Sequence, residues 1–291
     1  MKNIKNYIPS LILAFIMVFA LIGSSAVITV SRNFSSESLI ELADENQVVP
    51  KIKDEINKYF SAQYYETGIP ADVYTSAVTD EYIDKLVKKY SREGFLVMKE
   101  NWKFDYKSDT QNSQLEQNIT SFFEEYAESI NYEKDANFDK KLSQTIDNAY
   151  NIILDYCDVY KMKTLNSEGI LDKASLVFMN ISIIIIAALA IIAVIIIFLF
   201  IINRKFVSDA VYWIGTSSLV AGIMGIIPCI YLNSTKFFDS FVIKQQQIFT
   251  SFTSLMYKSV NSFMINNIIL AAVGLILVLM YTLTGKKNSA E

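Results

Sequence analysis

Hydrophobic positions along this chain fall into two regimes. Residues 174–202 contain no ionisable side chain, and from Ser175 they read SLVFMNISIIIIAALAIIAVIIIFLFII. About 20 apolar residues suffice to carry a helix across a ~30 Å hydrocarbon core, so this run is long enough to span a membrane with some to spare. Residues 8–30, 207–232 and 263–283 form three more such runs. The pattern predicts four transmembrane helices.

Between the first and second runs the apolar positions recur at three- and four-residue spacing, which is the stripe of amphipathic helices. Leu39, Leu42 and Ala43 mark one helix; Ile52, Ile56, Tyr59, Phe60 and Tyr64 mark a second that starts near Pro50 and ends at Gly68. Thr79 caps a third, with Asp80 and Glu81 in its first turn ahead of Ile83, Leu86, Val87 and Tyr90. Gly94 is expected to stop it. Trp102, Phe104 and Tyr106 then alternate with Lys103, Asp105 and Lys107, the period of a half-buried strand, so 95–107 is read as room for a small β-hairpin. Two further helices carry Leu115, Ile119, Phe122, Phe123, Tyr126 and Ile130, and then Phe138, Leu142, Ile146, Ala149, Ile153 and Cys157. Beyond 232, Phe241, Ile248, Phe252, Leu255 and Val260 trace one more amphipathic helix that runs into the fourth span.

The expected fold is mainly α: four transmembrane helices, with a mostly helical extracytoplasmic domain between the first and second spans. Its boundaries are a short N-terminus and first span over 1–30, the helical domain over 31–172, a transmembrane hairpin over 173–232, an amphipathic helix over 233–262, and the fourth span with a short tail over 263–291. Small residues in span three (Ser217, Ala221 and Gly225, with Ser218 and Gly222 beside them) point to close helix packing in lipid. Ser24-Ser25-Ala26 has the small residues of a signal-peptide cleavage site, but the first apolar run continues past it and is read as an uncleaved anchor.

Charge then assigns an orientation. Lys2 and Lys5 precede the first span, Arg204 and Lys205 fill the turn between the second and third, and Lys286 and Lys287 follow the fourth. Lys and Arg beside spans are retained on the cytoplasmic side, so both termini are expected inside the plasma membrane and 31–172 outside. That segment has 16 basic and 27 acidic residues, a formal net charge of −11, which argues against nucleic acid as a partner. Abundant Lys, Asn, Ile and Tyr is a compositional hint of a bacterial source.

Candidate chemistry is sparse. Histidine is absent, which removes the commonest general base and metal ligand. The carboxylate pairs Asp54/Glu55, Glu124/Glu125 and Asp155/Asp158 are read as solvated helix faces, because no Gly-bearing calcium loop surrounds them. Cys157 and Cys229 are read as buried hydrophobes rather than a disulfide. Asp209, with Ser208, is expected to satisfy free N–H groups where span three begins, and Asn180, Asn266 and Asn267 to hydrogen-bond between spans. No cofactor and no enzymatic activity are expected. The leading expectation is a non-enzymatic sensing, binding or scaffolding component, partnered by the lipid bilayer and by a membrane protein or further copies of itself. A homo-oligomeric pore or transporter subunit is the alternative.

Overall fold

The computed structural model describes residues 4–100 and 102–287, with side chains for 6–100 and 102–283. The described residues form helices α1 (Ile4–Asn33), α2 (Ser36–Glu45), α3 (Val48–Thr67), α4 (Ala71–Thr75), α5 (Asp80–Glu100), α6 (Ser113–Ser129), α7 (Ala136–Cys157), α8 (Met162–Ser167), α9 (Ile170–Phe178), α10 (Ile181–Ile202), α11 (Val207–Ser234) and α12 (Gln246–Lys287), with a 3-10 turn at Phe237–Ser240. Four helices are long and apolar enough to cross a membrane, over Asn6–Asn33, Ile181–Ile202, Val207–Ser234 and Gln246–Leu283. The chain divides into two compact units, a span unit drawn from residues up to Phe34, Asn180–Phe241 and Met256 onward, and a polar unit of Ser35–Met179 with Val242–Leu255.

In the polar unit, local chemistry sets the helix starts and burial sets their faces. Ser35 accepts from Ser38 N (3.2 Å), Asn112 from Leu115 N (3.2 Å), and Asp135 from both Asn137 N and Phe138 N (3.0 Å each), so three helices begin with a capped donor. Gly68, at φ +70°, ends α3 in the left-handed region where a Cβ would be strained. Ile52, Ile56 and Phe60 of α3, Ile83, Leu86 and Tyr90 of α5, Leu115 and Ile119 of α6, and Ile153 and Cys157 of α7 then meet in one core. Each set keeps helical spacing, so a single stripe per helix is removed from water.

The expected stop at Gly94 does not occur. Helix α5 runs through it to Glu100, and Gly94 is buried where a Cβ would lie 2.6 Å from Met162 Sδ and 2.8 Å from Met162 Cβ. Its lack of a side chain admits α8, not a turn. Consequently 95–100 is helical and no hairpin forms: no strand is present among the described residues. Residues 102–107 form a strap without regular secondary structure, bent at Tyr106 and Lys107, and Trp102 stays exposed. Phe104 and Tyr106 are half-buried and Lys103, Asp105 and Lys107 exposed. The strap's carbonyls bond to side chains instead of to a second strand. Tyr82 Oη donates to Thr110 O (2.5 Å), Lys89 Nζ to Ser108 O, and Tyr90 Oη to Tyr106 O (3.4 Å), while the Lys163 ammonium sits 4.5 Å from the Tyr106 ring.

In the span unit α1 lies along both α10 and α11. Met17, Val18 and Leu21 of α1 pack with Ile195 and Leu199 of α10 and Ala210 and Ala221 of α11. Pro228 neither ends nor interrupts α11, which continues to Ser234. Ile183, Ile186, Ile197 and Ile201 of α10 are left exposed, the surface expected of a helix that faces lipid.

Candidate functional site

Helix α7 carries a second, polar stripe beside its apolar one. Lys141, Gln144, Thr145, Asn148, Ile152 and Asp155 recur at three- and four-residue spacing, so they line one side of a groove of about 800 Å³. Tyr59, Gln63 and Thr67 of α3 form the opposite side, and Gln245 closes one end. The floor is aromatic. Phe60 and Tyr74 stack at 4.2 Å between centroids, and Tyr59 approaches Tyr156 at 6.0 Å with the rings tilted.

Three features define what this groove can bind. The side-chain amides of Gln63, Gln144, Asn148 and Asn151 make no hydrogen bond to other described residues, so each offers both donors and an acceptor. Gln245 Oε1 is buried and has no hydrogen-bond partner among the described residues. Among the described residues the only charged side chains in the lining are Lys141 and Asp155, and Asp155 is paired with Lys161 at 3.0 Å. Burial raises the Tyr156 and Tyr74 phenols, the latter to about 12, so both stay neutral at physiological pH. The surface is therefore aromatic, amide-rich and close to neutral.

Asp54 and Glu55 share one partner, Glu55 reaching Lys58 at 3.1 Å beside Asp54. Glu124 and Glu125 are exposed, and Asp54 lies 2.6 Å from Lys58 on the surface of α3. Asp158 departs from the expected solvated face, being 1% exposed. Its carboxylate accepts Met162 N (2.7 Å) and Lys163 N (2.8 Å), the donors that open α8. Desolvation pushes its pKa to about 6 against the opposing pull of those two N–H groups. Cys157 and Cys229 are buried free thiols, and burial raises Cys157 far above the ordinary thiol range.

The small residues of α11 occupy two adjoining faces. Ser217 Oγ is within reach of Ala14 O on α1 (3.1 Å) and its own Trp213 O (2.8 Å), and Ala221 is buried in the core shared with α1. On the neighbouring face a Cβ at Gly222 would lie 2.5 Å from Ala271 N, and one at Gly225 would collide with Asn267; both belong to α12. Gly215, absent from the sequence-based set, does the same work against Leu277 and Val278, while Ser218 is buried. A four-residue repeat of small side chains identifies one face. The second needed the position of α12.

Asn267 Nδ2 donates to Ser25 Oγ (3.1 Å) and Asn266 Nδ2 to Thr29 Oγ1 (3.1 Å), joining α12 to α1. Asn180 takes the N-cap position of α10, with no side-chain capping bond. At the start of α11 the expected side-chain capping is also absent: Phe206 is the N-cap, and Asp209 contributes only its backbone N–H, to Phe206 O (2.9 Å). Arg204 and Lys205 are exposed in the α10–α11 turn. Lys2 lies outside the described residues; Lys5 falls in α1 and Lys286 and Lys287 in the last turn of α12, with backbone alone described. No family model, curated protein or solved structure matches the chain.

Proposed function

We propose that this is a multi-pass plasma-membrane protein, both termini cytoplasmic, whose acidic helical unit lies outside the cell and binds a neutral, hydroxyl- and amide-rich ligand such as an oligosaccharide. The orientation rests on the placement of Arg204, Lys205, Lys286 and Lys287 beside the spans. One observation carries the binding role. The α3–α7 groove combines half-buried tyrosine rings with four amides that no described residue engages, and amides can donate to and accept from the same sugar hydroxyl groups. A cluster of −11 formal charge repels anionic ligands, which favours a neutral one.

In this role the protein is non-enzymatic. It senses, captures or scaffolds, and acts through a membrane partner or further copies of itself. The test is binding by the purified full-length chain in mild detergent. A thermal shift with a β-1,4-linked N-acetylglucosamine tetramer or with maltotetraose, lost in Asn148→Ala/Asn151→Ala, supports the reading. Equal response to a tetra-alanine peptide, or no response to any oligosaccharide together with no co-purifying partner, rejects it.

A further inference from the structure

The span unit contains a second groove, of about 600 Å³, that the binding role of the polar unit does not use. Helices α1 and α12 are joined by Ser25–Asn267, Thr29–Asn266 and Asn33–Ser262, all in the C-terminal third of α1. Toward the N-terminal end of α1 the groove opens over α11, between Leu11 and Phe15 on one side and Tyr281 on the other. Its long wall is apolar, made by Leu11, Phe15, Val18 and Val220. Its end holds Asn6, Asn203 and Asp209.

Four aromatic rings surround that end. Tyr7 meets Trp213 edge-on at 5.4 Å, Trp213 meets Tyr212 at 5.5 Å, and Tyr212 meets Tyr281 at 5.0 Å. Asp209 stands one helical turn before Tyr212 and Trp213, on the same face of α11. Its carboxylate makes no ion pair or hydrogen bond with the other described residues, and among the described side chains no Lys or Arg lines the groove.

The polar side chains beside it direct most of their donors to the protein. Asn6 Nδ2 donates to Ile202 O (2.7 Å), and Asn203 Nδ2 to Ser10 Oγ (3.0 Å) and Leu199 O (2.9 Å). Thr216 and Ser217 give their hydroxyl protons to carbonyls of α11 or α1. What Asn203 and the carboxylate offer a guest is oxygen acceptors, beside negative ring faces. Such a set selects a cation, and the adjoining apolar wall selects an alkyl chain.

We propose that this groove binds a membrane-dissolved amphiphile with an alkylammonium head: the cation against Asp209 and the rings of Tyr7, Tyr212, Trp213 and Tyr281, its chain along Leu11, Phe15, Val18 and Val220. Because Leu11, Phe15 and Val220 are exposed along the sides of two spans, the ligand enters sideways from lipid.

Trp213 reports on the site directly once the other tryptophan is replaced. The full-length Trp102→Phe protein in phosphatidylglycerol nanodiscs is titrated with tetradecyltrimethylammonium at a few per cent of the lipid. A saturable change in Trp213 emission is expected, with tetradecyl sulfate giving none. Asp209→Asn and, separately, Tyr7→Leu should each weaken it about tenfold, the scale of one lost charge or cation–π contact in a desolvated site. Both variants must elute as the parent does on gel filtration. A response that does not saturate, that tetradecyl sulfate reproduces, or that both variants keep unchanged overturns the proposal. In nanodiscs containing phosphatidylethanolamine, loss of the tetradecyltrimethylammonium response supports the site with the lipid headgroup as its source. An undiminished response supports it with a free amphiphile as its source.

Discussion

Asn267 on α12 donates to Ser25 on α1 across 3.1 Å, and the amide making this bond is fully buried. Gly225 of α11 lies against the same amide, with no space for a Cβ. Three helices thus converge on one polar side chain. A hydrogen bond between spans contributes on average about 0.6 kcal/mol and up to about 1.7 kcal/mol. Asn267→Leu should therefore lower stability by about 1 kcal/mol, measured by reversible unfolding in mixed micelles. In a double-mutant cycle with Ser25→Ala the two changes should be less than additive; full additivity would mean the bond contributes nothing.

Gly222 and Gly23 should differ sharply in their tolerance of substitution. At Gly222 a side chain meets the α12 backbone at Ala271, whereas at Gly23 nothing lies within 4 Å. Overpacking a close contact costs about 1–3 kcal/mol, and a leucine cannot be accommodated without moving the helices apart. Gly222→Leu is expected to lower the melting temperature markedly in mild detergent, while Gly23→Ala leaves it within a degree or two. Similar melting of the two variants would show that the α11–α12 approach is looser than described.

The polar unit makes a parallel prediction at Gly94. Alanine there would drive its Cβ into Met162, so Gly94→Ala should destabilise by about 1–3 kcal/mol despite the better helix propensity of alanine. Adding Met162→Ala to that variant should recover part of the loss, because the obstructing atoms are the methionine side chain. Recovery is read from the Trp102 melting curve in a Trp213→Phe background.

Asp158 gives the polar unit a pH dependence of definite sign. Folding raises this carboxyl from 3.8 to about 6, so between those values the native state holds a proton that the unfolded chain has released. The contribution of Asp158 to stability is greatest at low pH and falls as pH rises through about 4 to 6, by at most about 3 kcal/mol for a shift of this size. Glu93, raised chiefly by burial beside Lys89, acts in the same direction. Melting of the same Trp102 reporter at pH 4.5 and 7.5 should show the higher temperature at the lower pH. Asp158→Asn should flatten most of that difference, leaving the part due to Glu93; an unchanged slope would exclude Asp158 as its cause.

Runs of 20 or more apolar residues, and stripes at helical spacing, are properties of the chain itself, because length and period decide which segments can bury or span as helices. They define the four long apolar helices and most helices of the polar unit from sequence alone. Gly94 and the strap at 102–107 depart from the local pattern for one shared reason. A glycine ends a helix or admits a neighbour, and alternation describes a strand or an irregular strap, according to what packs against it. For Gly94 that neighbour is Met162, distant in the chain; for the strap it is the side chains of Tyr82, Lys89 and Tyr90. Likewise the polar stripe of α7 is visible in the sequence, but Tyr59 and Gln245, which turn it into a groove, come from segments about 90 residues to either side. Local periodicity is encoded in neighbours along the chain; a site is an agreement among residues that only folding brings together.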